Sequence, residues 1–227
     1  MTLINWILTG LLIIDTGFIV LALIKKWNLL EKICCALFFP LSVAHPPYLL
    51  LQYTPDSYHT FFLSVLALLL TTIALLIFIF ATNKTVKGIG YFVLLVGFLA
   101  WGEHFRTIFY IYNMPQWLTI FIISVNVMIL IAVQIITGRK KVHGYLSTTL
   151  FIAGAELLNV FAVINLIYEQ SISTILLFAG TFLNLLLVIF DLLDIKKFNI
   201  KHGMLVRTIS LTASQFLIAF SCLLVFN

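Results

Sequence analysis

Long apolar runs, each about 20 residues, constrain the fold of this chain more than any other feature, because an α-helix needs about that length to cross a membrane. Hydrophobic residues make up 63% of the 227 residues and charged residues only 9%. A soluble fold carries roughly a quarter of its residues as charged side chains. So few charges cannot cover a water-facing surface. The sequence therefore predicts an all-α integral membrane protein, multi-pass, in a bacterial inner membrane or a eukaryotic internal membrane.

We expect a single transmembrane helical domain, 1–227, formed by a bundle of about eight helices with short loops. Its first run lacks a basic start and a small-residue cleavage site, which predicts a retained helix rather than a signal peptide. Pro46 and Pro47 predict a kink or break in the second helix. The eight predicted helices are Ile4–Ile24, Leu30–Tyr53, Thr60–Thr82, Ile89–Tyr112, Trp117–Thr137, Tyr145–Tyr168, Ile172–Asp191 and Met204–Phe226.

Basic residues alternate between successive links of this layout. All 13 Lys and Arg residues except Arg106 lie in or directly beside the links between the first and second, third and fourth, fifth and sixth, and seventh and eighth helices. Cytoplasmic loops are enriched in Lys and Arg, so these links are predicted to face the cytoplasm and both termini the non-cytoplasmic side. The formal charge of +5 is explained by this placement and does not indicate nucleic acid as a partner.

Several ionisable side chains fall within the predicted spans, where each costs several kcal/mol unless it is paired. Asp15 and Glu156 lie near the middle of their helices, and the fourth helix carries Glu103, His104 and Arg106. Such groups mark a polar cavity. Each also has a structural interpretation: Glu103 and Arg106 can form an ion pair, and Asp15 and Glu156 can be protonated and bonded to a neighbouring helix. Further polar candidates in the spans are His45, Tyr110, Gln134, Asn184 and Gln215.

Three kinds of chemistry lack the residues they need. Every lysine lies in or beside a predicted cytoplasmic link, so none is placed for retinal attachment. No H-E-x-x-H or paired histidines indicate zinc or haem, and no G-x-S-x-G motif is present. Cys34, Cys35 and Cys222 all lie in apolar runs without metal-type spacing and are interpreted as packing residues. We expect neither a cofactor nor a metal.

The segment from Ile172 to Phe226 resembles the YhhN family of integral membrane proteins, the lysoplasmalogenases. An apolar helix containing a glycine closes on an acidic residue, and the last helix carries an Ala and Gln pair in the sequences FAGTFLNLLLVIFDLLDIKKF and RTISLTASQFLIAF. The residues that match the family's motifs here are Gly180, Asp191, Phe198, Thr208, Ala213 and Gln215. Upstream, His104 matches the family's histidine, with Tyr110 as the following aromatic residue, and Lys32 matches its lysine.

This sequence departs from the family pattern at several places. Phe190 stands where the family has a serine, Ser214 separates Ala213 from Gln215, and Ile33 stands where a proline follows the lysine. In the third helix, Thr71 and Thr72 occupy the place of a "GD" motif. One of two expected acidic residues is therefore absent.

The resemblance implies a membrane lipid hydrolase that cleaves the vinyl ether of a lysoplasmalogen-type lysophospholipid. A protonated carboxyl would donate to the vinyl ether, and a second carboxylate would stabilise the cation or activate water. On this reading Asp191 is catalytic, Glu103 or Asp194 replaces the lost acidic residue, and His104 orients water. The expected substrate-binding residues are Arg106, Tyr110, Lys32, Glu156 and Gln215.

An alternative follows from Thr71 and Thr72. Without the second acidic residue, the chain is predicted to be a non-catalytic membrane protein that binds or transports a lipid or a small solute through the same cavity. A membrane sensor that signals to a partner is a third possibility, and the short cytoplasmic links leave little surface for it.

Overall fold

The computed structural model describes residues 3–44, 58–81, 83–108, 115–117, 145–192 and 203–225, with isolated residues between 120 and 135. Within these residues the protein is helical and contains no strand. Its helices are α1 (Leu3–Lys25), α2 (Asn28–Val43), α3 (Tyr58–Phe80), α4 (Lys84–Ile108), α5 (Tyr145–Tyr168), α6 (Ile172–Leu192) and α7 (Gly203–Leu224).

The helix ends agree closely with the hydropathy pattern in most places. The predicted sixth helix and α5 share both ends, Tyr145 and Tyr168. α2 ends at Val43, earlier than predicted, and residues 45–57, with His45 and the two prolines, lie outside the described residues. The predicted fifth helix, 117–137, also lies mostly outside them; its described residues are helical as far as residue 135.

Four of the helices in the described part of the chain are long and apolar enough to cross a membrane: Trp6–Lys25, Phe61–Phe80, Val86–Ile108 and Leu205–Cys222. Most of their outward side chains are apolar; Trp6 and Ile24 on α1, for example, are 63% and 70% exposed. Polar side chains such as Thr71, Asn184 and Gln215 are buried. This distribution is the reverse of that in a soluble protein and suits a helical protein embedded in a membrane.

Six helices form a closed ring in the order α2, α3, α4, α5, α6, α7, with α7 packing against α2, and α1 packs on the outside of α2. α3 and α4 are antiparallel, since Gly90 lies against Phe78 and Gly97 against Thr71. α6 and α7 are also antiparallel, because Ser173 donates to the carbonyl of Ser221 and Ser214 to that of Gly180.

α4 and α5 pack in parallel. Gly102 contacts Leu158 and Phe105 stacks on Phe161, so contacting residues advance together along the two helices. The C-terminal ends of α4 and α5 therefore lie on the same side of the bundle, and Ile108 and Tyr145 lie on opposite sides.

A tight link joins α1 to α2. α1 ends at Lys25, Lys26 adopts a left-handed conformation with φ of 57°, and the Trp27 amide donates to the carbonyl of Ala22 at 2.9 Å. This is the Schellman pattern that terminates helices. It turns the chain within two residues and sets α1 antiparallel to α2.

Candidate binding site within the bundle

Contacts between neighbouring helices fix the depth of Glu156, which lies in the middle of α5. The contacting pairs of α4 and α5 differ by 56 residues, so Glu156 lies level with Ala100, one residue from Trp101. On α6, Thr181 donates to Asn159 of α5 at 3.4 Å. α5 and α6 are antiparallel, so Asn184, three residues after Thr181, lies level with Glu156, three residues before Asn159.

The remaining helices contribute polar residues near the same depth. Trp101 Nε1 donates to Gln215 Oε1 on α7 at 2.8 Å, a bond between helices that are not neighbours in the ring. Cys35 of α2 hydrogen-bonds to Thr208 of α7. If α2 and α7 are parallel, as the alternation of the basic links predicts, Ser42 lies level with Gln215, since each is seven residues beyond that contact. Thr71 of α3 lies beside Gly97.

Each helix of the ring thus supplies at least one buried polar side chain within about 12 Å along the bundle axis, from the rise of 1.5 Å per residue. We name this set the polar belt. Every member is at most 9% exposed. Its members are Ser42, Thr71, Trp101, His104, Glu156, Asn184 and Gln215.

Three atoms of the polar belt have no hydrogen-bond partner among the described residues: Ser42 Oγ, Glu156 Oε1 and Gln215 Nε2. The orientation of the Gln215 amide is set by the indole N–H, which requires the oxygen as acceptor, so the free atom is a donor. A buried polar group without a partner costs about 1–3 kcal/mol. The belt therefore offers a donor at Gln215, an acceptor at Glu156 and a hydroxyl at Ser42 to a bound polar group.

His104 and Trp101 form the aromatic side of the polar belt. Both are fully buried, their rings meet edge to face with centroids 5.4 Å apart, and Trp101 also stacks on Phe105 at 5.7 Å. An aromatic wall next to a carboxyl suits a cationic group, which is attracted to the faces of aromatic rings.

Thr71 and Thr72 satisfy their own hydroxyls. Each donates to the carbonyl four residues earlier, Ala67 and Leu68 respectively, at 2.8 Å. Such back-bonding occupies the hydroxyl proton within the helix. These residues do not supply the acid chemistry that a carboxyl would bring to this position.

Three of the predicted site residues come together in the polar belt, namely His104, Glu156 and Gln215. Glu103 and Arg106 lie on the outer side of α4, with side chains 42% and 61% exposed, and bond to each other at 2.6 and 2.8 Å. They form the ion pair of the structural interpretation.

The other predicted site residues lie away from the belt or outside the described residues. Asp191 is the penultimate residue of α6, at the basic end of the bundle, and its side chain is not among those described. Lys32 is half-buried near the start of α2, at the same end. Tyr110 and Asp194 lie outside the described residues.

Asp191 and Glu103 are far apart along the bundle axis. Thr181 of α6 lies level with residue 103 of α4, through its contact with Asn159 of α5. Asp191 is ten residues further along α6, which is antiparallel to α4, so it lies level with residue 93 of α4. Ten residues separate that level from Glu103, about 15 Å of helix. A pair of carboxyls that acts on one bond lies within about 5–10 Å, a shorter distance than this separation of the two backbone positions.

Asp15 belongs to the contact between α1 and α2 instead of the polar belt. It is 5% exposed, and the Cys34 thiol of α2 donates to its carboxyl. Cys34 thus bonds a buried carboxyl in addition to packing, while Cys35 bonds Thr208 across the contact between α2 and α7. Both bonds favour the structural interpretation of these residues.

Two members of the belt carry signals that sequence reasoning did not use. Trp101 counts as apolar in a hydropathy pattern, although its indole N–H requires an acceptor when it is buried. Ser42 follows Pro40, an internal proline of α2 that marks a non-standard stretch of this helix. Within the described residues, no three His, Cys, Asp or Glu side chains cluster as metal ligands.

No protein-family model, no curated protein and no solved structure matches this chain.

Proposed function

We propose that this chain is a non-catalytic membrane protein that binds or transports a small polar solute, or the polar part of a lipid, through the polar belt. The observation that carries the proposal is the set of three buried atoms, at Ser42, Glu156 and Gln215, that have no hydrogen-bond partner in the described part of the chain. Buried polar atoms are nearly always hydrogen-bonded in folded proteins, and a ligand with both a donor and an acceptor can form the missing bonds. Glu156 is the only described carboxyl in the belt, which is fewer than two-carboxylate hydrolysis requires.

The chemistry of the belt favours a ligand with a protonated amine or a hydroxyl group. Glu156 accepts a hydrogen bond from it, Gln215 Nε2 donates to an oxygen of the ligand, and Trp101 and His104 provide an aromatic wall. An amino alcohol meets all three requirements, and so does the headgroup of an ethanolamine lipid.

The proposal includes eight spans, with the basic links on the cytoplasmic side and both termini on the other. Two observations support an additional span between α4 and α5. The parallel packing of these helices requires the chain to return across the bundle, and the described residues between 116 and 135 are helical. The basic residues of the links then alternate as cytoplasmic loops do.

Binding is tested on the purified protein in detergent micelles, by the shift of its unfolding temperature. The probes are ethanolamine, glycerophosphoethanolamine and lysophosphatidylethanolamine, and proteoliposomes are tested for uptake of the first. We expect at least one probe to raise the unfolding temperature of the parent but not of Glu156→Gln. Glu169→Gln, which changes an exposed carboxyl outside the belt, is the matched control. No shift with any probe, or an equal shift in Glu156→Gln, would count against binding in the belt.

Lipid hydrolysis at the cytoplasmic end is the second candidate function. Asp191 lies in the last turn of α6, and the basic residues Lys196 and Lys197 follow it closely in sequence. This is the depth at which a lysophospholipid headgroup meets basic residues. The two residues proposed to act there are Asp191 and Asp194, without Glu103.

Aldehyde release from lysoplasmalogen by the purified protein decides the matter. Turnover in the parent that is lost in Asp191→Asn would establish the hydrolase and displace the non-catalytic proposal. Absence of aldehyde from folded protein removes the hydrolase and leaves the binding proposal to its own test.

A further inference from the structure

The two halves of the ring repeat one arrangement of helices. α2, α3 and α4 run towards the non-cytoplasmic side, back, and again towards it, in the proposed topology, and α5, α6 and α7 do the same. The halves meet at two seams, between α4 and α5, which pack in parallel, and between α7 and α2, which run parallel in the proposed topology. An approximate twofold axis along the membrane normal relates helices in this way.

Burial along α3 and α6 follows the same pattern with a shift of 110 residues. Seven positions of each helix are buried in the described part, and five of the seven coincide. Thr71 corresponds to Thr181, and each donates to the carbonyl four residues earlier. The coinciding positions are Ser64, Ala67, Thr71, Ala74 and Leu75 in α3 and Thr174, Leu177, Thr181, Asn184 and Leu185 in α6.

The buried positions of α4 coincide with those of α7 when 117 is added to the residue numbers of α4. Nine positions of each helix are buried, and seven of the nine coincide. They are Tyr91, Leu94, Gly97, Phe98, Trp101, His104 and Phe105 in α4 and Thr208, Leu211, Ser214, Gln215, Ile218, Ser221 and Cys222 in α7.

Packing between the helices provides a check that burial does not. Any two helices with one buried face can be aligned by some shift, because both patterns have the helical period. The two shifts together, however, carry the contact between Leu70 and Gly97 onto the pair Gly180 and Ser214. Those two residues are in contact, through a bond from Ser214 Oγ to the Gly180 carbonyl at 2.9 Å.

Polar character differs between the halves although their geometry agrees. Gln215 corresponds to Phe98, Asn184 to Ala74 and Trp101 to Ile218. The bond from Trp101 to Gln215 therefore occurs once, and it crosses from one half to the other. The described side-chain bonds of α6 with its neighbours lie within the second half.

We infer that the two halves are parallel structural repeats, that the ligand of the polar belt binds between them, and that the Trp101–Gln215 bond closes this site. The inference rests on the proposed function and adds the route of access. Separation of the halves along the seams exposes Glu156 and Ser42 to solvent, and breaking the bond between Trp101 and Gln215 favours the open state.

The test uses the three native cysteines as reporters. Cys35 bonds Thr208 in the seam between α2 and α7, Cys222 is buried in α7, and Cys34 faces α1. Proteoliposomes are treated with a membrane-impermeant methanethiosulfonate, and labelling is read by mass spectrometry for the parent, Trp101→Phe and Gln215→Met. The matched control is Ser173→Ala, which removes a bond between two helices of the same half.

We expect both belt variants to raise labelling of Cys35 relative to Cys34 by about fivefold, the shift in a two-state equilibrium that follows loss of one hydrogen bond. Ser173→Ala stays at the parent level. Unchanged labelling in Trp101→Phe, or an equal rise in Ser173→Ala, overturns the inference. Trp101→Phe retains a ring to stack on Phe105, so it decides the question alone if Gln215→Met does not fold. Ligand binding without opening would leave the proposed function in place and remove only this access route.

Discussion

The two sides of α4 differ sharply although their residues are neighbours in sequence. Trp101, His104 and Phe105 face the ring and are fully buried, whereas Glu103 and Arg106 lie on the outer side and bond to each other. Successive side chains of an α-helix are rotated by about 100° around its axis, so neighbours in sequence face different surroundings. The comparison teaches that polar residues grouped in sequence need not share a site, because the helix directs them to opposite environments.

The largest expected effect is on stability, and it contrasts a buried tryptophan of α4, Trp101, with an exposed tryptophan of α1, Trp6. Trp101→Ala removes a fully buried ring and its bond to Gln215, so we expect the free energy of unfolding to fall by about 3–5 kcal/mol. Trp6→Ala, at a side chain that is 63% exposed, should cost less than about 1 kcal/mol. Unfolding in detergent micelles measures both. Equal losses would remove the distinction between the two faces.

Glycines sharpen the same contrast with effects of opposite sign. A methyl group on Gly180 would lie 2.8 Å from Ile218 and 2.9 Å from the Ser214 carbonyl, so Gly180→Ala should destabilise by about 1–3 kcal/mol. Gly17 on the outer side of α1 has nothing within 4 Å, so Gly17→Ala should stabilise by about 0.5–1 kcal/mol through helix propensity. The two unfolding temperatures should move in opposite directions; a fall for both would contradict the assignment of α1 to the outside.

Substitutions of Ser42 and Ser173 test whether the polar belt contains a hydroxyl that lacks a hydrogen-bond partner when no ligand is bound. Ser42→Ala removes a hydroxyl that has no described partner, so the ligand-free protein should keep its stability or gain up to about 1 kcal/mol. Ser173→Ala removes a bond of 2.7 Å to Ser221 and should cost about 1 kcal/mol. Thermal unfolding of delipidated protein compares the two. A larger loss for Ser42→Ala would mean that this hydroxyl is bonded.

The exposed ion pair should show the smallest effect. Glu103→Gln and Arg106→Gln, singly and together, are expected to lower the unfolding temperature slightly, less than Gly180→Ala, because the pair is exposed and both members belong to one helix. Added salt should reduce the difference further. A loss comparable to that of Trp101→Ala would assign the pair an interior role.

Hydropathy predicts the helices because it is a property of consecutive residues. Tyr145–Tyr168 was predicted at both ends, and the short link at residues 169–171 follows from polar residues in sequence. α2 ends at Val43 although the predicted run continues, and Pro40 lies in its last turn. The parallel packing of α4 and α5 has no counterpart in the pattern.

The site was predictable only in part, because it depends on how far one helix slides past another. His104, Glu156 and Gln215 were predicted as site residues and lie in the polar belt. Asp191 and Glu103 are separated by the register of α4, α5 and α6, which contacts such as that between Gly102 and Leu158 determine. Such contacts involve shape, and no local pattern of polarity encodes them.

The contact between α7 and α2 closes the ring by joining two helices that are separated in sequence by all the other helices of the ring. Until α7 packs against α2 the wall has a gap, and polar side chains of the belt are open to the surrounding lipid. Insertion of the helices and completion of the polar belt are therefore separate events, and the second depends on α7.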